Sequence, residues 1–265
     1  MDYAHLITNV ALGTGFTTLM TALGAGSVFL VSKKPSPNFN RITMGLAAGV
    51  MIAASVWSLL IPSMERAQEL GNSPILSTAG GFTLGVLFLL LLDNVLPHMH
   101  NVTGIMEGPK SKRSRGMLLF TSITMHNIPE GMSVGLLFLL AAQTGQPEML
   151  SAAIALAIGM GIQNVPEGAA AALPMLQEGH SKPKAFAFGV ASGSVEFIFG
   201  MLVVLVAGYI NPIMPWLLSF SAGAMMYVVV EELIPEANTG EHSNVGTLSV
   251  MVGFLIMMIL DCTLG

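Results

Sequence analysis

The sequence predicts an all-α, polytopic membrane protein with eight transmembrane helices. Only 9% of the 265 residues are charged and 53% are hydrophobic, whereas about 25% of residues are charged in an ordinary soluble domain. Eight apolar stretches reach the roughly 20 residues that a helix needs to cross a bilayer. The basic residues form no stripe with interleaved aromatic residues, so the expected partner is the lipid bilayer and not nucleic acid.

The eight stretches together form one predicted transmembrane domain covering 1–265. Pro and Gly occur inside several of them, which transmembrane helices tolerate better than soluble ones do. The N-terminus has no basic segment, so the first stretch is expected to stay in the protein and not to be cleaved as a signal peptide. The predicted helices lie near residues 6–31, 42–62, 75–97, 116–140, 150–176, 185–209, 214–234 and 245–264.

The basic residues predict how the chain is oriented. Nine of the ten fall in the loops after the first, third and fifth predicted helices, and only Arg66 lies on the opposite side. Because basic loops stay in the cytoplasm, the loop at 98–115 is expected to be cytoplasmic. The protein is expected in the plasma membrane, with both termini extracellular.

The chain also repeats itself. The second predicted helix contains Ala-Gly-Val-Met-Ile (48–52), and the seventh contains Ala-Gly-Ala-Met-Met (222–226). The third and eighth share a Gly followed eight residues later by an Asp, and the fourth and fifth share the motif described next. Members of each pair are separated by an odd number of spans and therefore run in opposite directions. This predicts an inverted repeat of 3+2+3 helices, which in transporters places the substrate site near the midplane of the bilayer.

The most informative motif is a heptapeptide and its echo. Residues 125–131 read Met-His-Asn-Ile-Pro-Glu-Gly, and residues 162–168 read Ile-Gln-Asn-Val-Pro-Glu-Gly. On a helix of about 100° per residue, Glu130 lies between His126 and Asn127, so that its carboxylate can share one cation with each. Gln163, Asn164 and Glu167 repeat this geometry. The prolines remove a backbone donor, which frees a carbonyl group in each helix.

Three carboxylates are predicted near the midplane: Glu130, Glu167 and Glu196. No Lys or Arg lies at a comparable depth in any predicted span. A carboxylate buried in the membrane is costly unless it is paired or neutralised. A divalent cation is the simplest partner, and protonation is the competing one. Imidazole, carboxylates and amides, with the thioether of Met51 as a further candidate, suit a borderline transition metal. Zinc is the first choice, followed by iron, manganese and cadmium.

The paired motifs, the eight spans and the basic loop resemble the ZIP (Zrt/Irt-like) metal transporters. The segments Ser-Leu-Leu-Ile-Pro-Ser-Met-Glu (58–65) and Glu-Glu-Leu-Ile-Pro-Glu (231–236) resemble the bacterial GufA-like branch of that family. The resemblance covers essentially the whole chain. It implies uptake of divalent transition-metal ions into the cytoplasm through a site that holds two ions.

The resemblance also implies which residues hold each ion. The ligands of the first ion would be Met51, His126, Glu130, Gln163 and Glu167. The ligands of the second ion would be Asn127, Asn164, Glu130, Glu167 and Glu196.

Acidic residues near the ends of two predicted helices are candidates for the ion pathway. Glu65 would lie at the external mouth, and four residues at the cytoplasmic end could form an exit relay: Glu231, Glu232, Glu236 and His242.

Two other functions stay open on the sequence alone. An intramembrane metallohydrolase could use two metal ions to activate water, but the chain has no His-Glu-x-x-His motif. A proton-coupled carrier of organic solutes would explain the carboxylates without a metal. The oligomeric state is also open, with a homodimer as one arrangement.

Overall fold

The structure is a computed structural model that describes residues 2–30, 36–99, 106–239 and 243–264. Within these residues the chain forms eight long helical segments, which we label in chain order. They are α1 (Tyr3–Ala25 with Ser27–Leu30), α2 (Pro37–Ala54, Ser55–Leu60 and Ile61–Glu69), α3 (Pro74–Val95), α4 (Arg115–Thr144), α5 (Pro147–Gln177), α6 (Lys182–Leu205), α7 (Ala207–Ile210, Asn211–Ile213, Met214–Val228, Val229–Leu233 and Ile234–Ala237) and α8 (Asn244–Leu264).

The eight helices confirm the predicted all-α membrane fold. Seven of those in the described residues are long and apolar enough to cross a membrane. The remaining long helix is α4, where the polar residues of the first motif lower the mean hydropathy. Among the described residues, the only β-structure is a short antiparallel ladder between His98–Met99 and Met106–Glu107.

Local sequence signals set several helix ends. The hydroxyl groups of Ser36, Ser73 and Ser114 each accept a hydrogen bond from the backbone N–H three residues later, which caps the starts of α2, α3 and α4. Gly145 ends α4 with φ of 67°, a left-handed conformation that glycine adopts without strain. A tight turn therefore joins the two helices that carry the motifs.

Some helix ends differ from the prediction. The second helix continues beyond 62 to Glu69, because a π-helical turn at Ser55–Leu60 precedes Pro62 and places the proline at the start of a new α-helical piece. The sixth helix ends at Leu205 instead of 209, and the residues that follow form the irregular start of α7.

The helices pack in pairs related by the repeat. Glycines bring α2 against α8 and, in the same manner, α3 against α7. A methyl group at Gly49 would meet the backbone of α8, and one at Gly85 would meet the backbone of α7. Likewise Gly168 of α5 lies against α1, whereas Gly131 of α4 lies against α6. The close approach of small residues is the usual basis of helix packing in membranes.

A second common feature supports the internal repeat. The α2 helix contains the π-helical turn Ser55–Leu60, and α7 contains the π-helical turn Val229–Leu233. Each turn leads directly into an Ile-Pro pair. The two copies of the Leu-Ile-Pro sequence therefore have the same backbone irregularity.

Candidate metal centre

Both copies of the heptapeptide lie inside long helices that continue through their prolines. Pro129 is inside α4, and Pro166 is inside α5. Every predicted metal ligand is at most 6% exposed, so none of them faces the lipid. These residues are Met51, His126, Asn127, Glu130, Gln163, Asn164, Glu167 and Glu196.

The side-chain amides of the motifs direct their nitrogen atoms toward the protein. Asn127 Nδ2 donates hydrogen bonds to the carbonyl oxygen of Ser192 at 3.0 Å and to its hydroxyl oxygen at 3.2 Å. Gln163 Nε2 donates to Asn164 Oδ1 at 3.1 Å. The Gln163 side chain also lies within hydrogen-bonding range of Glu130. The oxygen atoms of Asn127 and Gln163 have no donor among the described residues.

Five buried oxygen atoms of the motifs accept no hydrogen bond from the described part of the chain. They are Asn127 Oδ1, both carboxylate oxygens of Glu130, Gln163 Oε1 and Glu167 Oε2. Burying an acceptor without a donor costs about 1–3 kcal/mol, and more for a charged group. Oxygen atoms of this kind, together with an imidazole, are ligands that a divalent cation can use. The arrangement has the chemistry of a cation site.

Charge leads to the same interpretation. Glu130 lies within electrostatic range of Glu167 and Glu196. Glu167 in turn is within range of Glu232 on α7. Ionised carboxylates in this setting repel one another unless a cation or a proton intervenes.

The side chains do not form a closed metal cage in this conformation. Across residues 2–30, 36–99, 106–239 and 243–264, no three His, Cys, Asp or Glu side chains are grouped closely enough to hold a metal ion. A site made from these residues must therefore include amide oxygens or draw its carboxylates together when the ion binds. Structural zinc sites, by comparison, are closed, with four protein ligands.

Glu196 and Asn164 differ from the other predicted ligands because other residues already satisfy them. Glu196 Oε1 accepts a hydrogen bond from the Thr21 hydroxyl at 3.2 Å, and Glu196 Oε2 accepts one from Asn164 Nδ2 at 2.7 Å. Asn164 Nδ2 also donates to the carbonyl oxygen of Thr17 at 3.2 Å.

Met51 is fully buried within the main apolar cluster of the bundle. The buried Met160 of α5 belongs to the same cluster. A role of Met51 as a metal ligand stays a prediction.

A small pocket of about 40 Å³ leads away from the motifs, and its lining includes His126, Glu167, Glu232 and Glu236. Glu232 Oε2 lies 3.5 Å from His126 Nδ1. The hydroxyl group of Ser122, one helical turn before His126, donates to Glu232 Oε1 at 2.6 Å. The pocket therefore joins the central residues to an acidic pair on α7.

A larger cavity of about 560 Å³ adjoins this pocket at the end of the bundle where α4 begins and α5 ends. Both spaces are lined by Met44, Leu119 and Ala170. Pro166 of the second motif also lines the large cavity. The central residues are consequently closest to open space at this end of the molecule.

The opposite end is more closed. Glu65 lines a separate pocket of only about 20 Å³, together with Arg66 and Glu69. Between Glu130 and that end, α4 is buried and apolar over 136–140.

The remaining pathway candidates divide into two groups. Glu232 and Glu236 line the small pocket, whereas Glu231 is exposed and does not. His242 lies outside the described residues.

Glu178 joins the ends of α4 and α5 at the rim of the large cavity. Its carboxylate accepts hydrogen bonds from the backbone N–H of Gly116 and the hydroxyl of Ser114, both at 2.6 Å. Partial burial raises the pKa of Glu178, but these hydrogen bonds and the nearby His180 outweigh it and hold the pKa below its ordinary value.

Sequence reasoning missed the hydroxyl groups that hold the acidic residues. Ser122 is bound to Glu232, and Thr21 is bound to Glu196. A signal was present in each case. Ser122 lies four residues before His126, on the same helix face. Thr17 and Thr21 of α1 have the same spacing.

The fold is that of a polytopic membrane protein with a buried cluster of carboxylates and amides between its helices. Residues 101–261 match the sequence profile of the family described as ZIP Zinc transporter. The chain belongs to this family, and the family is one of transporters and not of enzymes.

Three relatives with curated names support the assignment. The chain is 34% identical to Zinc transporter GufA of Myxococcus xanthus, over 99% of both chains. It is 33% identical to human Zinc transporter ZIP11, over 96% of both chains. It is 36% identical to Zinc transporter ZIPB of Bordetella bronchiseptica, over 92% of this chain and 78% of the relative.

Proposed function

We propose that the chain transports divalent transition-metal ions across the membrane, with zinc as the main substrate. The relatives are named zinc transporters. The observation that carries the proposal is the group of five buried oxygen atoms that accept no hydrogen bond from the described residues. These atoms come from both motifs, and they are oxygen ligands of the kind that a passing dication binds.

The central ligands are Glu130 and Glu167, with the oxygen of Gln163 and the imidazole of His126 beside them. Carboxylate and amide oxygens combined with imidazole nitrogen suit zinc, and also iron, manganese and cadmium. An all-oxygen cage would suit calcium or magnesium better. Met51 is a further candidate ligand from α2.

The ion leaves through the small pocket toward Glu232 and Glu236. Because His126 borders this pocket and lies 3.5 Å from Glu232, it can pass the ion from the central carboxylates to α7. The large cavity then opens the way to solvent. Its rim contains Arg115, one of the basic residues that favour the cytoplasmic side. This supports inward transport, with extracellular termini in a plasma membrane.

Reconstituted vesicles containing a zinc-sensitive dye test the proposal. Zinc added outside should raise the internal signal above that of empty vesicles, and calcium and magnesium should produce little response. Iron, manganese and cadmium in the same assay rank the other substrates. If zinc produces the same signal in empty and protein-containing vesicles, the proposed function is wrong.

A further inference from the structure

A hydrogen-bonded network joins three helices beside the central oxygen atoms. It consists of Glu196 on α6, Asn164 on α5, and Thr17 and Thr21 on α1. Both oxygens of Glu196 accept hydrogen bonds, one from Thr21 and one from Asn164. The oxygen of Asn164 accepts a hydrogen bond from Gln163, and its nitrogen also donates to the Thr17 carbonyl oxygen.

The predicted ligands therefore form two unequal groups. Among the described residues, Glu130 has two oxygens without a donor, and Asn127, Gln163 and Glu167 have one each. Asn127, which the resemblance assigns to the second ion, therefore belongs with this first group.

Asn164 Oδ1 and Glu196 Oε2, by contrast, each accept a hydrogen bond from an amide. Glu196 Oε1 shares the single proton of the Thr21 hydroxyl with the Thr17 carbonyl oxygen. An ion at the first group gains ligands that have no other partner. An ion at the second group would have to displace existing hydrogen bonds.

The amide of Asn164 is the centre of this difference. To offer its oxygen to an ion beside Glu196, the amide would have to rotate. Its two donated hydrogen bonds, to Glu196 and Thr17, would then be lost. The amide oxygen would also take the position of a nitrogen that lies 2.7 Å from a carboxylate oxygen. Without rotation, one N–H of the amide supplies Glu196 with the positive partner that a cation would otherwise supply.

We propose that the central site binds one metal ion, held by the Glu130 group, and that Asn164 takes the place of a second ion by donating a hydrogen bond to Glu196. This inference rests on the proposed function and replaces the expectation of two ions that the family resemblance suggested. It gives Asn164 and Glu196 a positioning role in which they fix α5 and α6 against α1.

The stoichiometry of zinc binding tests the inference on the purified full chain in detergent. Zinc bound after equilibrium dialysis is counted by elemental analysis, and ions at the protein surface are removed from the count by subtracting the value for Glu130→Gln. We expect a difference of one ion per chain. Asn164→Asp replaces the donor with a second carboxylate. After the same surface count is subtracted, this variant should bind two zinc ions per chain. A difference of two in the unaltered chain, or no rise in Asn164→Asp, would overturn the inference.

A second variant keeps the test decisive if Asn164→Asp does not fold. Glu196→Gln retains the size of the side chain, and the count should stay at one if Glu196 is not a ligand. A fall of the count by one ion in Glu196→Gln would show that Glu196 holds an ion and would overturn the inference. Failure of the proposed function is distinguishable, because the unaltered chain would then neither bind zinc at the central site nor carry it into vesicles.

Discussion

Removing the charge of Glu130 without changing its shape should nearly abolish zinc binding. At an effective dielectric constant of about 20, unit charges about 4 Å apart interact by about 4 kcal/mol, and a dication doubles this to about 8 kcal/mol. In Glu130→Gln the repulsion from Glu167 and Glu196 is also removed, and this offsets roughly half of the lost attraction. The binding free energy of zinc should therefore weaken by about 4 kcal/mol. Because about 1.4 kcal/mol is tenfold in affinity, zinc should bind roughly a thousandfold more weakly.

Isothermal titration calorimetry of the purified protein measures this loss directly. Glu148→Gln is the matched control, since it removes the same charge from an exposed position in the first turn of α5. It should change the zinc dissociation constant by less than about threefold, as expected for a screened surface charge. If Glu130→Gln and Glu148→Gln bind zinc equally well, the central carboxylate is not a ligand and the electrostatic argument fails.

Three further predictions concern the pathway, the packing and the rim of the cavity. His126→Ala should abolish zinc uptake into vesicles while the protein still inserts; undiminished uptake would remove His126 from the pathway. Gly135→Ala should lower the free energy of unfolding by about 1–3 kcal/mol, because the new methyl group would lie 2.7 Å from the Gly200 carbonyl oxygen. A thermal melt measures this loss. In the control Gly15→Ala the methyl group meets nothing within 4 Å, so this variant should be neutral or stabilising. Glu178→Gln should lower the melting temperature at neutral pH. The lowered pKa of Glu178 means that its contribution is lost as the pH falls through that value, so a difference that persists in acid would contradict this account.

The central residues could be predicted because helical geometry fixes their relations. The spacing of His126, Glu130 and their counterparts on the second motif is set by the 3.6-residue turn alone. The inverted repeat indicated that the two motifs would face each other. Burial of Glu167 followed from the cost of placing a carboxylate in lipid.

The hydrogen-bond partners could not be predicted in the same way. Whether Glu196 contacts Thr21 or an ion depends on the rotation and depth of α6 relative to α1, and periodicity does not determine either. The same holds for Ser122 and Glu232, which come from different halves of the chain. Glu231 and Glu232 were equal candidates in sequence, but only Glu232 lines the pocket beside His126.

The π-helical turns at Ser55–Leu60 and Val229–Leu233 affect how labelling experiments on α2 and α7 should be read. Each wide turn adds about one residue to the helix. After the turn, the residues that face a neighbouring helix are therefore shifted by one position in the sequence. A cysteine-accessibility or spin-label scan along α7 should therefore lose its regular period near 230 and resume it with an offset of one. A helical wheel drawn straight through this point would place Glu236 on the wrong side.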